Sequence, residues 1–346
     1  MLDNLVAGLP TLILIGLIAL SIAVLSKGAD WMIDGVVQLA ERTGLPKIVI
    51  GATIISLGTT MPEAFVSVMA AFMGNPGLAL GNGVGSIIAD TGLVFGLTCV
   101  LAAVPINRFI LNRTGCVQVG SATLLVLISV VALMTSSGSQ PVIHRWVGVL
   151  FLLLLGAYMY LTYMWARQSN TLLPISKEMD EGDEKTRFMS LGVCWTCVIG
   201  GLIMVVGAAR VLVPSASQIA WRIGVPDDVI AATLVALGTS LPELMTAVTS
   251  VRKGHPEITV GNIVGADVLN CLFVIGAAAA SRPLAVPPNF FYFHFPTMLI
   301  VLYSFRVFIF INRSGEFRRW QGFWLLGIYL AYVILQYALN IGMELH

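Results

Sequence analysis

The sequence predicts an all-α polytopic membrane protein, with ten transmembrane helices arranged as two inverted five-helix repeats and with broken helices at the midplane. Hydrophobic residues make up 57% of the 346 residues and charged residues only 11%, whereas a soluble domain carries about 25% charged residues. The mean hydropathy is +0.90, and apolar stretches long enough to cross a bilayer recur along the chain. These stretches are continuous rather than alternating, which disfavours a transmembrane β-barrel.

Ten apolar stretches are expected to cross the membrane, five in each half of the chain. Their expected bounds are 8–27, 47–73, 77–101, 114–134, 143–166, 189–212, 227–251, 257–280, 290–311 and 320–341. The first and sixth are expected to continue as polar-faced helices to Arg42 and Arg222. Because five is an odd number, two homologous halves joined in series must lie in opposite orientations, which makes an inverted repeat.

A hydrophilic segment between the fifth and sixth spans separates the two halves. We therefore divide the chain into a first five-helix repeat (1–166), a cytoplasmic linker (167–188) and a second five-helix repeat (189–346). With the N-terminus outside, the inner loops hold thirteen Lys and Arg residues and the outer loops three. Positive charges favour the cytoplasmic side. We thus expect a multi-pass protein of the plasma (inner) membrane with both termini outside.

The most informative feature is an internal repeat at a constant offset of 180 residues. Residues 44–96 align with residues 224–276 without a gap, and 20 of these 53 positions are identical. The two copies contain GATIISLGTTMPE (51–63) and AATLVALGTSLPE (231–243), so each holds a Pro-Glu pair within an apolar run. A carboxylate deep in a membrane is costly and marks a functional site. Duplicated interrupted helices with such carboxylates are typical of an ion site shared between the halves of a transporter.

Proline is expected to break the second and seventh spans next to their carboxylates. Pro62 precedes Glu63 and Pro242 precedes Glu243, and proline lacks the N–H that would satisfy the carbonyl four residues earlier. Irregular backbone at this depth is tolerated only where it is buried in protein or lines a wet cavity. Freed carbonyls, hydroxyls and carboxylates together form an all-oxygen ligand set, which hard cations such as Ca²⁺ prefer.

The third and eighth spans are expected to supply the other wall of the site. Both contain a Gly-Asn-x-Val-Gly sequence, whose small residues let helices approach closely. Ser86 and Asp90 are four residues apart and share a helix face, and Asn270 is the repeat counterpart of Asp90. Asp267 is a further intramembrane carboxylate with the apolar counterpart Ile87. The pattern leaves open whether Asp267 faces the site.

These residues resemble the two α-repeats of the cation/calcium exchanger superfamily, and in particular prokaryotic sodium/calcium exchangers. The resemblance rests on the paired GTT-x-PE and GTS-x-PE sequences, on the two GN-x-VG-S/A segments and on KGADWMIDG (27–35). It covers essentially the full ten-span chain. It implies antiport of Ca²⁺ against Na⁺ as gating spans slide against a core, and we take the first and sixth spans as the moving pair.

The resemblance also implies a set of ligands. By motif position the central site consists of Glu63, Glu243, Asp90 and Asn270. The flanking sodium sites are implied to use the side chains of Thr59, Thr60, Thr239, Ser240 and Ser86 and the backbone carbonyls of Ser56 and Ala236. Two positions depart from the family pattern: Ala266 replaces a serine, and Asp267 and Ile87 replace an asparagine. These departures leave the counter-ion and the stoichiometry open.

The expected function is therefore secondary antiport of Ca²⁺ against Na⁺ by alternating access, without enzymatic activity or a cofactor. An H⁺-coupled or K⁺-dependent calcium/cation antiporter of the same fold is the alternative, since an extra carboxylate suits either. A passive cation channel could use the same oxygens, but inverted broken helices favour an occluded site. An intramembrane aspartyl hydrolase would need Asp90 and Asp267 at a scissile bond, whereas their surroundings favour cation ligation.

The net charge and the N-terminal sequence limit which partners and which processing are expected. The net charge of +1 gives no reason to expect a nucleic acid, and the expected partners are the two ions and the lipid bilayer around a monomer. The start MLDNLVAGLP lacks a basic segment, so we do not expect a cleaved signal peptide.

Overall fold

The computed structural model consists of helices joined by short connections and four two-residue strands. It describes residues 8–136, 140–172, 189–223, 238, 240–312 and 315–338. The helices in this part of the chain are α1 (Thr11–Thr43), α2 (Lys47–Phe72), α3 (Pro76–Leu101), α4 (Arg108–Thr135), α5 (Arg145–Leu172), α6 (Leu191–Arg222), α7 (Leu241–Arg252), α8 (Pro256–Ser281), α9 (Phe290–Ile311) and α10 (Arg319–Ala338). Eight of them are long and apolar enough to cross a membrane. The predicted helical membrane protein is confirmed.

The longest helices are α1 and α6, with 33 and 32 residues. Both continue past the apolar spans to Thr43 and Arg222, which confirms the predicted extensions. α1 ends at Gly44, whose φ of 69° lies in the left-handed region that glycine adopts at low cost. Of the predicted seventh span (227–251), residues 227–237 and 239 lie outside the described residues, so α7 represents only its second half.

The predicted linker at 167–188 is only partly described. α5 runs as a helix to Leu172. On the other side, the Ser190 hydroxyl accepts a hydrogen bond from the Val193 N–H at 3.3 Å and so caps the start of α6. Residues 173–188 lie outside the described residues, and the division of the chain at the linker stays a prediction.

Contrary to the sequence prediction, the second span is not broken at Pro62. Pro62 lies inside the α-helical run Ser56–Phe72, because neighbouring helices in a membrane protein can compensate for one missing N–H. The irregular segment of α2 is a π-helical one that comes earlier, at Gly51–Ile55, and Pro242 lies in the first turn of α7.

α3 and α8 have matching π-helical segments at Asp90–Phe95 and Asn270–Ile275, at the repeat offset of 180. A π-bulge widens one helical turn, changes which face the following residues present, and often occurs at functional sites. The side chains that follow each π-helical segment therefore face a different direction, although the helix continues without unwinding.

Glycines bring α1 and α6 into direct backbone contact. A Cβ placed on Gly201 would lie 2.5 Å from the Gly28 carbonyl oxygen, and one on Gly28 would lie 2.7 Å from the Met204 Cβ. A Cβ on Gly35 would lie 2.9 Å from the Cys194 carbonyl oxygen, so the close approach continues along the pair. Small residues at such crossings allow helices to pack in a membrane. α1 and α6 thus form one tightly joined pair.

A second set of glycines joins α2 of the first repeat to α8 of the second. A Cβ on Gly51 would lie 2.6 Å from the Ile258 carbonyl oxygen. A Cβ on Gly265 would lie 2.6 Å from the Ser56 Oγ, next to the Thr-Thr-Met-Pro-Glu sequence. This close approach brings the hydroxyl-rich part of α2 against α8.

Four short strands follow the same repeat. Strand β1 (Val104–Pro105) follows α3 and pairs antiparallel with β4 (Glu316–Phe317), which precedes α10. Strand β2 (Val142–Ile143) precedes α5 and pairs antiparallel with β3 (Leu284–Ala285), which follows α8. Because α3 corresponds to α8 and α5 to α10, the two pairs are repeat-related. Each of them ties one half of the chain to the other.

Candidate functional site

Four buried polar side chains from four helices form the centre of the candidate site. Glu63 on α2 and Glu243 on α7 are each 2% exposed, and Asp90 on α3 and Asn270 on α8 are each 1% exposed. The Asn270 Nδ2 donates a hydrogen bond to the Asp90 Oδ2 at 3.3 Å. Asp90 and Asn270 each begin a π-helical segment, so the interruptions of α3 and α8 meet at this contact.

The carboxylates of the site lie within electrostatic range of one another. Glu63 and Glu243 repel each other, and Asp90 is repelled by both. Within the described ranges the salt bridges involve other acids, which pair with Lys47, Lys253 and His255. Like charges buried together in a medium of low dielectric are unfavourable. A bound cation, or a proton on one of the carboxyl groups, would relieve this repulsion.

Several buried oxygen atoms around the site have no hydrogen-bond partner among the residues that the structure describes. They are the Glu63 Oε2, Glu243 Oε2, Asp90 Oδ1, Asn270 Oδ1, Thr60 Oγ1 and Ser240 Oγ. Buried polar atoms in folded proteins are nearly always paired, and exceptions often mark an ion or a functional group. Here both repeats contribute such oxygens, and the chemistry of the set is that of a Ca²⁺ or Na⁺ site.

Hydroxyls beside the Pro-Glu pair complete the wall formed by α2. Ser56, Thr59 and Thr60 are fully buried. The Thr59 Oγ1 donates within its own helix, 3.2 Å from the Ile55 carbonyl oxygen and 3.3 Å from that of Ser56. Thr59 also lies beside the Glu243 carboxylate, and the Ser240 hydroxyl lies beside Asp90. Each repeat therefore brings a hydroxyl toward a carboxylate carried by the other repeat.

The remaining predicted positions divide into described and undescribed ones. Ser86 is 6% exposed on α3, one turn before Asp90. Ala266 is fully buried on α8 and brings no hydroxyl there. Thr239 and Ala236 lie outside the described residues, and their predicted roles stay predictions.

The asparagines of the two Gly-Asn motifs hold neighbouring helices together. The Asn82 Nδ2 donates to the Glu63 carbonyl oxygen at 3.0 Å and to the Ser67 Oγ at 2.9 Å. Its counterpart Asn262 donates to the Thr246 Oγ1 at 3.2 Å. Asn82 therefore holds the backbone of Glu63, one of the two glutamates at the centre of the site.

Comparison with known proteins assigns the chain to a family. A family model described as sodium/calcium exchanger protein matches residues 13–164 and 193–338. The chain belongs to the sodium/calcium exchanger family. The predicted superfamily is thus confirmed, and the protein is a calcium/cation antiporter by family, a transporter rather than an enzyme.

Similar proteins cover nearly the whole exchanger. Sodium/calcium exchanger MaX1 of Methanosarcina acetivorans is 27% identical, covering 92% of this chain and 97% of that protein. Inner membrane protein YrbG of Escherichia coli is 30% identical, covering 90% and 93%. A solved structure of the sodium-calcium exchanger NCX_Mj has a TM-score of 0.77 at 26% identity, covering 94% of this chain and 99% of that one. The fold is therefore that of an exchanger throughout.

A more local likeness involves a second type of exchanger. Sodium/potassium/calcium exchanger 2 of Mus musculus is 35% identical over 179 residues, which make up 49% of this chain and 26% of that protein. Family membership alone therefore leaves the counter-ion of this exchanger open.

Asp267 borders the site behind α3. Its Oδ2 accepts hydrogen bonds from the Thr91 Oγ1 on α3 and, at 2.6 Å, from the Gln118 Nε2 on α4. Among the described residues its Oδ1 has no hydrogen-bond partner, and the carboxyl group lies within electrostatic range of Asp90. In this exchanger Asp267 thus places a further ionisable carboxyl group beside the Asp90–Asn270 contact, and one of its oxygens accepts hydrogen bonds from protein donors.

Three residues at the site lie outside the set predicted from the sequence. Thr91 and Gln118 hold Asp267, and Arg210 on α6 lies within electrostatic range of Glu63. A glutamine and an arginine inside apolar spans are themselves signals, because polar groups at membrane depth are usually functional. Their target residues could not be read from the chain, since Gln118 and Asp267 are 149 residues apart.

Over the described residues, no group of three or more His, Cys, Asp and Glu side chains could hold a metal ion by itself. A cation at this site would need hydroxyl, amide or backbone oxygens in addition to the carboxylates, which are the ligands that hard cations prefer.

Proposed function

We propose that this protein exchanges Ca²⁺ for Na⁺ by alternating access at a site centred on Glu63 and Glu243. The observation that carries the proposal is the set of unpartnered, buried oxygens contributed by both repeats. Two carboxylates balance the charge of one Ca²⁺, and Asp90, Asn270 and nearby hydroxyls bring the count toward the six to eight oxygens that Ca²⁺ takes.

Coupling follows from the cost of buried charge. With Ca²⁺ or Na⁺ bound, the carboxylates are compensated and the site can pass an apolar barrier. Without ions, bare carboxylates in a low-dielectric surrounding make the same transition unfavourable. Na⁺ at the flanking hydroxyls and at the shared carboxylates competes with Ca²⁺, so each ion is moved only when it displaces the other.

The moving element in this proposal is the α1–α6 pair. The backbone contacts at Gly28 and Gly201 favour movement of the two helices as one body. The carboxylates themselves lie on helices outside the pair. Sliding of the pair across the site would uncover it first from one face of the membrane and then from the other.

An H⁺-coupled exchanger is the second candidate, and Asp267 is the observation that favours it. This buried carboxylate is a further group that can carry a proton beside Asp90. Ala266, where the family has serine, removes one hydroxyl that would bind Na⁺. K⁺ dependence of the same exchange remains a variant of this proposal.

The discriminating experiment is ⁴⁵Ca²⁺ uptake into proteoliposomes that carry the purified protein. Outward gradients of Na⁺, K⁺ and H⁺ are imposed one at a time, with choline as the control cation. Uptake driven by the Na⁺ gradient alone supports sodium/calcium exchange. Uptake driven by a proton gradient in the absence of Na⁺ would replace the proposal with H⁺ coupling.

We also propose that the protein lies in the plasma (inner) membrane with both termini outside and the linker 167–188 in the cytoplasm. The support is the thirteen-to-three distribution of Lys and Arg between the two sets of loops. A single cysteine introduced into the linker of a cysteine-free variant should react with an impermeant maleimide only after the cells are opened. Reaction in intact cells would reverse the orientation.

A further inference from the structure

A groove between α4 and α9 opens on the outer surface of the helical bundle. It has a volume of about 470 Å³, and Val119, Gly120, Leu127 and Tyr303 are among the residues that line it, with Arg306 at one end. Leu127 and Tyr303 are 57% and 46% exposed. In a membrane protein such a surface faces lipid chains rather than water.

Arg306 places a positive charge inside a membrane-spanning helix without an acidic partner. Its Nη1 donates to the Leu111 carbonyl oxygen at 3.3 Å and to the Asn112 Oδ1 at 3.4 Å, and its Nη2 to the Cys116 Sγ at 3.0 Å. The guanidinium lies 4.5 Å from the centre of the Phe310 ring. All of these partners are neutral, and no salt bridge found in the described part of the chain includes Arg306.

Further cations lie near the same end of the groove. Arg113 is on the first turns of α4, where its guanidinium lies 3.8 Å from the centre of the Phe109 ring. Arg108 begins α4 and donates to the Asn312 carbonyl oxygen just beyond α9. Arg306 is five residues before the end of α9, or about 8 Å at 1.5 Å per residue. This depth is within reach of lipid headgroups for a long side chain.

We propose that this groove binds one anionic phospholipid. The phosphate lies against Arg306, and an acyl chain runs along the apolar wall past Gly120 and Leu127. Charge complementarity carries the assignment, because an arginine whose partners are all neutral attracts an anion at this depth and basic pockets between helices bind anionic headgroups. The lipid site is separate from the cation site and does not depend on the proposed function.

Two glycines give the groove its shape. A Cβ on Gly115 would lie 3.3 Å from the Arg306 Nη1, so a side chain there would crowd the guanidinium. A Cβ on Gly120 would meet no atom within 4 Å, so the space above this glycine is open. A larger residue at Gly120 can therefore fill the groove without clashing with the protein.

The experiment is native mass spectrometry of the full-length protein in detergent with phosphatidylglycerol or phosphatidylcholine added. We expect the wild type to retain phosphatidylglycerol over phosphatidylcholine. Arg306→Gln should lower retention of phosphatidylglycerol about fivefold, as expected for one arginine at a membrane surface. Gly120→Leu should lower it without a change of charge. Arg319→Gln, which removes an exposed arginine at the start of α10, should behave as the wild type.

Three results would overturn the proposal. Equal retention of the two lipids by the wild type would show that the groove is not anion-selective. Unchanged retention in Gly120→Leu would place the lipid elsewhere, a result that stands even if Arg306→Gln fails to fold. Competition by millimolar inorganic phosphate, with no requirement for an acyl chain, would identify a simple anion site instead.

Discussion

At the scale of single residues, the site depends on oxygens that the protein buries and leaves unpaired. Glu63 and Glu243 each have one carboxylate oxygen without a partner. Asn82 fixes the Glu63 backbone through a 3.0 Å hydrogen bond. The protein therefore holds the backbone of Glu63, and in the proposed mechanism the charge of its carboxylate is balanced by the ion.

Replacement of either central carboxylate should abolish transport. Glu63→Gln and Glu243→Gln keep the side-chain volume but remove a charge that balances Ca²⁺, and charge count sets Ca²⁺ affinity over several decades. We expect the initial rate of ⁴⁵Ca²⁺ uptake to fall by about 100-fold or more. Glu257→Gln, a partly exposed glutamate at the start of α8, is the matched control. Uptake near the wild-type rate in either central variant would refute the site.

Asp267→Asn should separate the two candidate counter-ions. The amide oxygen can still accept from Thr91 and Gln118, so the fold is retained, but the group can no longer exchange a proton. If Na⁺ is the counter-ion, Na⁺-driven uptake should persist and its response to pH should change little. Loss of uptake together with an unchanged melting temperature would instead make Asp267 part of the transport site.

At the scale of elements, the α1–α6 pair depends on glycine contacts. Gly201→Ala places a methyl group against the Gly28 carbonyl oxygen and the backbone of Met32, and overpacking of this kind typically costs about 1–3 kcal/mol. We expect a lower melting temperature in a fluorescence-based unfolding assay. Gly200→Ala is the control, because a Cβ on Gly200 meets nothing within 4 Å. Equal melting temperatures for the two variants would contradict the close packing.

An ion pair joins α1 to the end of α7. The Lys253 Nζ lies 2.6 Å from the Asp34 Oδ1 and 3.8 Å from the Asp30 Oδ1, and so links the end of α7 to α1. The repeat counterparts of Lys253 and Asp34 are Met73 and Pro214, which cannot form such a pair. The repeat therefore does not reproduce this ion pair at the corresponding positions of the other half.

Asp34→Asn should change transport more than stability. Partly exposed ion pairs contribute at most about 1 kcal/mol, so the melting temperature should move by less than about 4 °C. Because the pair stabilises one position of α1 against α7, its loss should change the rate of ⁴⁵Ca²⁺ exchange by shifting the balance of states. Glu41→Gln, also on α1, is the control. An exchange rate equal to that of the wild type would show that the pair does not hold α1.

At the scale of the whole molecule, the sequence predicts the architecture well. The length of the apolar stretches predicted the helices, and the 180-residue repeat placed Asp90 against Asn270, which are in contact. Duplication explains this success, because the same motif occurs in both halves of the chain and each copy supplies one wall of the shared site. The paired strands at the ends of α3 and α8 follow the same symmetry.

Other features could not be predicted, for physical reasons. The bonds from Thr91 and Gln118 to Asp267 join residues 176 and 149 positions apart, and no local pattern specifies such contacts. Pro62 indicated an interruption of α2 beside Glu63, whereas α2 is α-helical there and its π-helical segment lies earlier, at Gly51–Ile55. The counter-ion depends on small differences between cations that share oxygen ligands, and the residue types alone do not resolve them.

The central claim is that Ca²⁺ and Na⁺ compete for the same carboxylates. Its most direct test is equilibrium binding of ⁴⁵Ca²⁺ to the purified protein during titration with Na⁺, with choline at equal ionic strength as the control. We predict that Na⁺ displaces Ca²⁺ from the wild type, that choline does not, and that Glu63→Gln binds no Ca²⁺ in the same range. Ca²⁺ that stays bound at saturating Na⁺, or binds equally well to Glu63→Gln, would contradict the shared site.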